Sequence, residues 1–239
     1  MSMPSIVVVC GDPGGANAVA PVIELLRTEN RLSVHALAYR QARVLWADRG
    51  LAHEEIPESA TQDFIVRQLR QLNARLVLTG TSINQFEFEK QFIAAARSLQ
   101  IPSISVLDFW SNYAQRFSDE NGGLVYLPEY IAVMDQLARD EMIAERIDPS
   151  RIVITGHPAL DCLAKFRMAF EPQQRRSTRR ELGVDEGDWL VLYASQPPSF
   201  VDGADEEGGP PWLDRQRAVK ALIGAMEALS KEYEKKRSC

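Results

Sequence analysis

Short β-branched runs alternate with longer helix-patterned stretches along most of this sequence, and that alternation constrains the fold more than any other feature. The runs are residues 5–10, 33–38, 76–79, 103–107, 130–134, 152–155 and 190–194. Helical patterns lie between and after them, at residues 18–27, 40–47, 61–72, 86–99, 136–146, 159–169, 173–182 and 215–235. Continuous apolar strands separated by helices predict an α/β fold, a doubly wound parallel sheet covered on both faces. Right-handed crossovers then place a ligand crevice outside the carboxyl ends of the strands. Four polar or glycine-bearing segments are expected at that edge: residues 11–17, 80–84, 108–116 and 156–161.

The first of these segments reads Gly11-Asp12-Pro13-Gly14-Gly15-Ala16-Asn17 and follows the run Ile6-Val7-Val8-Val9-Cys10. A buried strand that ends in a glycine-rich turn and opens a helix leaves free backbone N–H groups at the positive end of the helix dipole. Such a place favours an anionic or strongly polar group. Gly14 and Gly15 permit positive φ and close approach of a ligand, and Asn17 completes the rim. Asp12 is less suited to take part, because its carboxylate repels an anion. The glycine spacing does not satisfy GxGxxG, so NAD binding is not implied. A tight β–α turn without any ligand explains the same residues, since every doubly wound domain needs such turns.

At 239 residues, the chain allows one large domain, or one domain with a smaller piece. The composition shifts near residues 170–172, dividing residues 1–170, a Rossmann-like domain, from residues 171–239. The second part holds one apolar run, residues 190–194, and too little chain for a self-sufficient doubly wound core. It either docks on the first domain or begins a second Rossmann-like domain that is incomplete here; the single run favours the second. A net charge of −6 argues against non-specific nucleic-acid binding. The clusters Arg175-Arg176 with Arg179-Arg180 and Lys235-Lys236-Arg237 read as solvated helix faces, although the first is also suited to graze a phosphate or a membrane surface. Cys10, Cys162 and Cys239 form no CxxC and no Cys/His ligand spacing, so neither a metal nor a cofactor is expected. Asp202, Asp205, Glu206 and Glu207 crowd a Pro/Gly-rich loop without ligand periodicity and read as a solvated acidic loop rather than a Mg²⁺ site. The reduced cysteines and the lack of a signal-peptide pattern point to the cytoplasm.

The stretch Leu127-Pro128-Glu129-Tyr130-Ile131-Ala132-Val133-Met134-Asp135, continued at Ile152-Val153-Ile154-Thr155-Gly156-His157-Pro158-Ala159-Leu160-Asp161, resembles the latter part of the N-terminal domain in GT-B-fold proteins. Those relatives include UDP-N-acetylglucosamine 2-epimerase, lipid A disaccharide synthase and glycosyltransferases of surface-polysaccharide biosynthesis. In that group a strand reading "iavxD" precedes a helix, a short strand and a "TGxPxxD" turn. Residues 105–117, Ser-Val-Leu-Asp-Phe-Trp-Ser-Asn-Tyr-Ala-Gln-Arg-Phe, are similar to an "LDxWxNYxxRF" stretch of some members. The glycine turn and Leu192-Tyr193-Ala194-Ser195-Gln196 also fit, the latter as the first strand of a second Rossmann domain. The resemblance implies nucleotide-sugar-dependent glycosyl transfer in surface-polysaccharide or glycolipid assembly, with a glycan or lipid-linked acceptor on the N-terminal domain. It also implies a complete donor-binding domain, which the pattern after residue 194 does not supply. The alternatives are therefore a non-catalytic acceptor-binding module, a subunit of a split transferase completed by another chain, or an epimerase-like enzyme. Incomplete sheet edges favour self-association. No set of 2-epimerase acids and His matches residue by residue, so none of those roles is carried over.

Within this frame Asp108, just past an apolar run, is the candidate catalytic base for an acceptor hydroxyl; an Asp that caps the following loop is the plainer role. Trp110 and Tyr113 offer faces for stacking on a sugar or base, or else belong to the core. Arg116 suits a bidentate contact with phosphate, or an ion pair with Asp119 or Glu120. His157 sits on the strand–helix turn where the family usually has Asn, which favours hydrogen bonding over acid–base work. Asp161 is expected to bond amides of the helix it enters. Ser195 and Gln196 are expected to face the crevice beside Gly14, Gly15 and Asn17 as substrate-binding residues.

Overall fold

The computed structural model describes residues 3–57, 59–83, 88–194 and 215–237. The chain divides into two units, Met1–Phe170 and Glu171–Cys239. Among the described residues of the first unit are the strands β1 (Ser5–Cys10), β2 (Ser33–Ala38), β3 (Glu54–Glu55), β4 (Ala74–Thr79), β5 (Ser103–Val106), β6 (Tyr130–Val133) and β7 (Ile152–Ile154). They form one parallel sheet in the order β3-β2-β1-β4-β5-β6-β7. Its helices are α1 (Pro13–Glu29), α2 (Arg40–Asp48), α3 (Gln62–Gln71), α4 (Phe88–Ser98), α5 (Gln136–Ala144) and α6 (Pro158–Ala169). This is the doubly wound parallel sheet that the alternating pattern predicts.

β1 is buried along its whole length, which explains why it reads as an unbroken apolar run. Its alternate residues serve opposite layers. Ile6, Val8 and Cys10 pack with Ala16, Val19 and Ile23 of α1 and Trp46 of α2. Val7 and Val9 pack with Ile65 and Leu69 of α3 and Phe88 and Phe92 of α4. Each fully buried side chain of this size contributes roughly 1.5–3 kcal/mol, so the pleat of β1 fixes which helices lie on which face. A third cluster gathers Ile131 and Val133 of β6, Ala138 and Met142 of α5, and Tyr113 and Phe117.

Three local differences from the sequence reading have physical causes. α1 starts at Pro13, not at Ala18, because proline's fixed φ and missing N–H suit the first helical position. Gly14 and Gly15 are therefore helical, and the described glycines with positive φ are Gly50, Gly122, Gly156 and Gly183 instead. β3 is a two-residue exposed edge strand of two glutamates, too short and polar to announce itself.

The second unit carries the helices α7 (Pro172–Glu181) and α8 (Arg215–Arg237). Residues 190–194, expected as a strand, are irregular. A parallel strand persists only with hydrogen-bonding neighbours, and the described residues of this unit contain no other strand. Ser195, Gln196 and the acidic loop that follows lie outside the described residues. No helix among the described residues is long and apolar enough to cross a membrane.

Candidate functional site

The strand order reverses at β1, which has β2 on one side and β4 on the other, and a doubly wound sheet opens its crevice outside the carboxyl ends there. The segments that leave β1, β4, β5 and β7 meet at that edge. The Gly80 amide donates to the Val9 carbonyl at 3.2 Å. A Cβ on Gly80 would stand 2.9 Å from the Gly15 Cα, so the two turns touch backbone to backbone. Close approach, not positive φ, is what requires glycine here.

Asp108, one residue past Leu107, lies at the centre. Its Oδ1 accepts from Arg116 Nη1 at 2.6 Å and from the Thr81 hydroxyl at 3.0 Å. Arg116 Nη1 also donates to Thr81 Oγ1 at 2.7 Å, and its Nε donates to the Ser111 carbonyl at 3.1 Å. Both side chains are largely shielded from solvent, Arg116 at 6% and Asp108 at 13% exposure. The second oxygen, Oδ2, stands over α1: a Cβ on Gly14 would come within 1.8 Å of it. A carboxylate there complements the positive end of the helix. Pro13 has no N–H, and the first helical bond of this turn runs from the Ala16 amide to the Asp12 carbonyl at 2.9 Å. The amides of Gly14 and Gly15 thus have no intrahelical acceptor.

Arg116 pairs with Asp108, not with Asp119 or Glu120. A single 3-10 turn, Gln115–Phe117, folds Arg116 back toward the strand end. Asp119 instead accepts from the Asn121 and Gly123 amides at 3.0 and 2.8 Å.

Tyr113 is not a stacking platform. It is 2% exposed, packed in the third cluster, and its hydroxyl donates to Glu141. Burial, followed by Glu141, pushes the phenol up from its ordinary range. Tyr113→Phe is expected to lower stability by about 1.5 kcal/mol through loss of that charged hydrogen bond and to leave ligand affinity unchanged; urea unfolding and calorimetric titration measure the two.

Trp110 is half-buried and donates from Nε1 to Asp135 Oδ2 at 2.9 Å. Its ring stacks on His157 with centroids 6.3 Å apart and planes 24° from parallel. His157 caps α6: its Nδ1 accepts from the Leu160 amide at 3.4 Å, and its Nε2–H donates to the Asp108 carbonyl at 3.0 Å. Both ring nitrogens are thereby engaged, and the imidazole holds the backbone of Asp108 in place. Asn17 is exposed on α1, one turn beyond Gly14. Asp161 is exposed in the first turn of α6.

Beneath the glycine turn lies a group that sequence reasoning missed. Glu89, in the first turn of α4, is 3% exposed. Its Oε1 accepts from the Gly11 amide at 2.9 Å and its Oε2 from the Tyr39 hydroxyl. Burial, joined by the charge of Asp12, raises its carboxyl to about 7 against the hydrogen bonds from Tyr39 and Gly11. An acid in the first turn of a helix ordinarily reads as a solvated partner of the dipole, so nothing in the spacing singled it out. Cys10 beside it is fully buried, and burial pushes its thiol up.

A cavity of 640 Å³ lies at the opposite, amino edge of the sheet, near Ser103, Glu129 and Arg151. Its arginines are committed to main-chain carbonyls: Arg97 to Val125 and Leu127 at 2.8 and 2.7 Å, and Arg151 to Pro128 at 2.6 Å. The convergent polar groups described above stand at the carboxyl edge instead.

Neither a protein-family model nor any curated relative matches the sequence. The fold matches solved structures. A UDP-GlcNAc 2-epimerase from Methanocaldococcus jannaschii aligns with a TM-score of 0.57 at 13% identity, over 76% of this chain and 54% of that one. The Neisseria meningitidis enzyme bound to UDP-GlcNAc gives 0.55 at 14%, over 75% and 53%. An S. aureus MnaA–UDP structure gives 0.54 at 17%, over 68% and 46%. The chain spans about half the length of these structures. At such identities the likeness is one of fold alone: a Rossmann-like parallel sheet flanked by helices.

Proposed function

We propose that the crevice at the carboxyl edge holds a nucleotide sugar and its acceptor for glycosyl transfer in surface-polysaccharide or glycolipid assembly, with Asp108 as the base. The observation that carries this reading is the division of labour on one carboxylate. Arg116 and Thr81 hold Oδ1, while Oδ2 is presented beside the first turn of α1. A hydroxyl seated there donates to Oδ2. As its oxygen attacks the anomeric carbon, the proton passes to the carboxylate, and the departing diphosphate takes the electron pair of the broken C–O bond. The amides of Gly14 and Gly15 and the buried guanidinium of Arg116 supply fixed dipolar and cationic support for the developing charge. Trp110 and Asn17 flank the same edge. Two of the aligned structures are complexes with UDP and with UDP-GlcNAc, which makes a uridine nucleotide the first to test.

Titration calorimetry with UDP-GlcNAc and CDP-sugars, coupled to an assay for released nucleotide, tests this reading. The wild type is expected to bind one of them. Asp108→Asn is expected to leave nucleotide-sugar binding in place and to slow turnover about a hundredfold. A folded wild type that binds none of these nucleotides overturns the proposal. Binding without turnover leaves a binding module, and conversion of UDP-GlcNAc to its C2 epimer without nucleotide release assigns epimerase chemistry instead.

A further inference from the structure

The transfer scheme leaves one buried acid without a part. Glu89 joins three elements at a single point: its own α4, the Gly11 amide at the end of β1, and the Tyr39 hydroxyl at the end of β2. Tyr39 is fully buried, and its ring meets Phe88 edge-on with centroids 4.9 Å apart. A Cβ on Gly11 would stand 2.0 Å from that ring. The junction therefore sets where the chain leaves β1 and enters α1, and with it the place of Gly14 against Asp108.

Among the described residues, the charged and titratable groups around Glu89 include Tyr39 after β2, Cys10 from β1 and Asp12 from the turn. Beyond Cys10 stands Asp108, paired with Arg116. Lys90, next on α4, donates to the Ser118 carbonyl at 2.6 Å and stands 5.6 Å from the centre of the Tyr126 ring. The donors named for Glu89, the Gly11 amide and the Tyr39 hydroxyl, are neutral, so its ionised form adds negative charge under the crevice. Its protonated form keeps the junction intact. Oε1 still accepts from Gly11, and the new O–H on Oε2 donates to Tyr39 Oη.

We propose that Glu89 is a positioning residue whose charge regulates the crevice: it fixes the glycine turn through the Gly11 amide in both protonation states, and its ionised form opposes the diphosphate of a bound nucleotide sugar. The inference rests on the nucleotide-sugar reading for its ligand. Binding of the dianion favours uptake of one proton from solvent onto Oε2, by the reciprocity of linkage. The folded-state carboxyl titrates at about 7, inside the range where such coupling is visible.

Two measurements on wild type and Glu89→Gln, which keeps an acceptor oxygen for Gly11, test it. In the first, the ¹⁵N–¹H shift of the Gly11 amide is followed from about pH 5 to about pH 9. An inflection near neutrality in the wild type that vanishes in Glu89→Gln is expected; a flat wild-type trace, or an inflection that persists in the variant, overturns the proposal without reference to any ligand. In the second, UDP-GlcNAc affinity is measured across the same range. The wild type is expected to weaken about fivefold as pH rises through neutrality, while Glu89→Gln stays level. An equal slope in both proteins overturns the regulatory role. A folded wild type that ignores UDP-GlcNAc at every pH removes both the nucleotide-sugar reading and this regulatory role, while the Gly11 titration separately decides whether the buried carboxyl exchanges its proton.

Discussion

Arg116→Ala is expected to destabilise the first unit by about 3–5 kcal/mol, the usual cost of stripping one partner from a buried ion pair. The guanidinium is 6% exposed and sits 2.6 Å from Asp108, whose side chain is 13% exposed, so solvent can replace little of what is lost. Removal leaves Asp108 with the Thr81 hydroxyl as its remaining named donor and frees the Ser111 carbonyl as well. The contrast lies on the surface. Arg49 pairs with Glu24 at 2.6 Å, but the side chains are 34% and 45% exposed, and Arg49→Ala is expected to cost at most about 1 kcal/mol. Urea unfolding of both variants measures the difference, with an unchanged m-value showing that the same surface is exposed. A midpoint for Arg116→Ala no lower than that for Arg49→Ala rules out a buried, coupled pair. Arg116→Met combined with Asp108→Asn should recover much of the loss, because no charge is then stranded.

The sheet was legible because its central strand, β1, is buried on both faces and its neighbours carry short apolar runs. Residues 6–10 form an unbroken apolar run, and the structure pairs this strand with residues 33–38 from Ser5↔Ser33 to Cys10↔Ala38. Asp108 was legible for the same reason: a carboxylate directly after a buried parallel strand has to emerge at the ligand edge. Its partner was not. Proximity in sequence made Asp119 and Glu120 the natural mates of Arg116, and only the turn at Gln115–Phe117 sends the side chain back across eight residues to Asp108. Tyr113 stayed open between crevice and core because an aromatic near a strand end has the same spacing in either; the docking of α5, which supplies Glu141, places it in the core. Glu89 left no sequence signal at all. Its burial arises from the meeting of β1, β2 and α4, elements separated by dozens of residues, and no local pattern encodes such a junction.

At that junction Gly11→Ala is expected to cost about 3 kcal/mol or more, the sum of overpacking a rigid site and weakening a buried hydrogen bond. The added methyl would lie 2.0, 2.3 and 2.4 Å from three atoms of the Tyr39 ring. That ring has no room to withdraw: it is fully buried, packed edge-on against Phe88 and tied to Glu89 through its hydroxyl. Relief therefore requires shifting the turn itself, which pulls the Gly11 amide off Glu89 Oε1. Gly14→Ala meets an even shorter distance, 1.8 Å, but to the outer oxygen of Asp108, which can swing aside at the expense of its bonds to Arg116 and Thr81. It is therefore expected to lower stability, through the disturbed Asp108–Arg116 pair, and ligand affinity together. Gly50→Ala meets nothing within 4 Å and suffers only from a φ of +70°, worth about 1 kcal/mol. Denaturant midpoints should thus fall in the order Gly50→Ala, Gly14→Ala, Gly11→Ala, from least to most disturbed. Adding Tyr39→Leu, which removes the ring, should make Gly11→Ala less costly than the two single changes summed. Strict additivity would mean that the methyl and the ring never meet, and the geometry assigned to the glycine turn would fall with it.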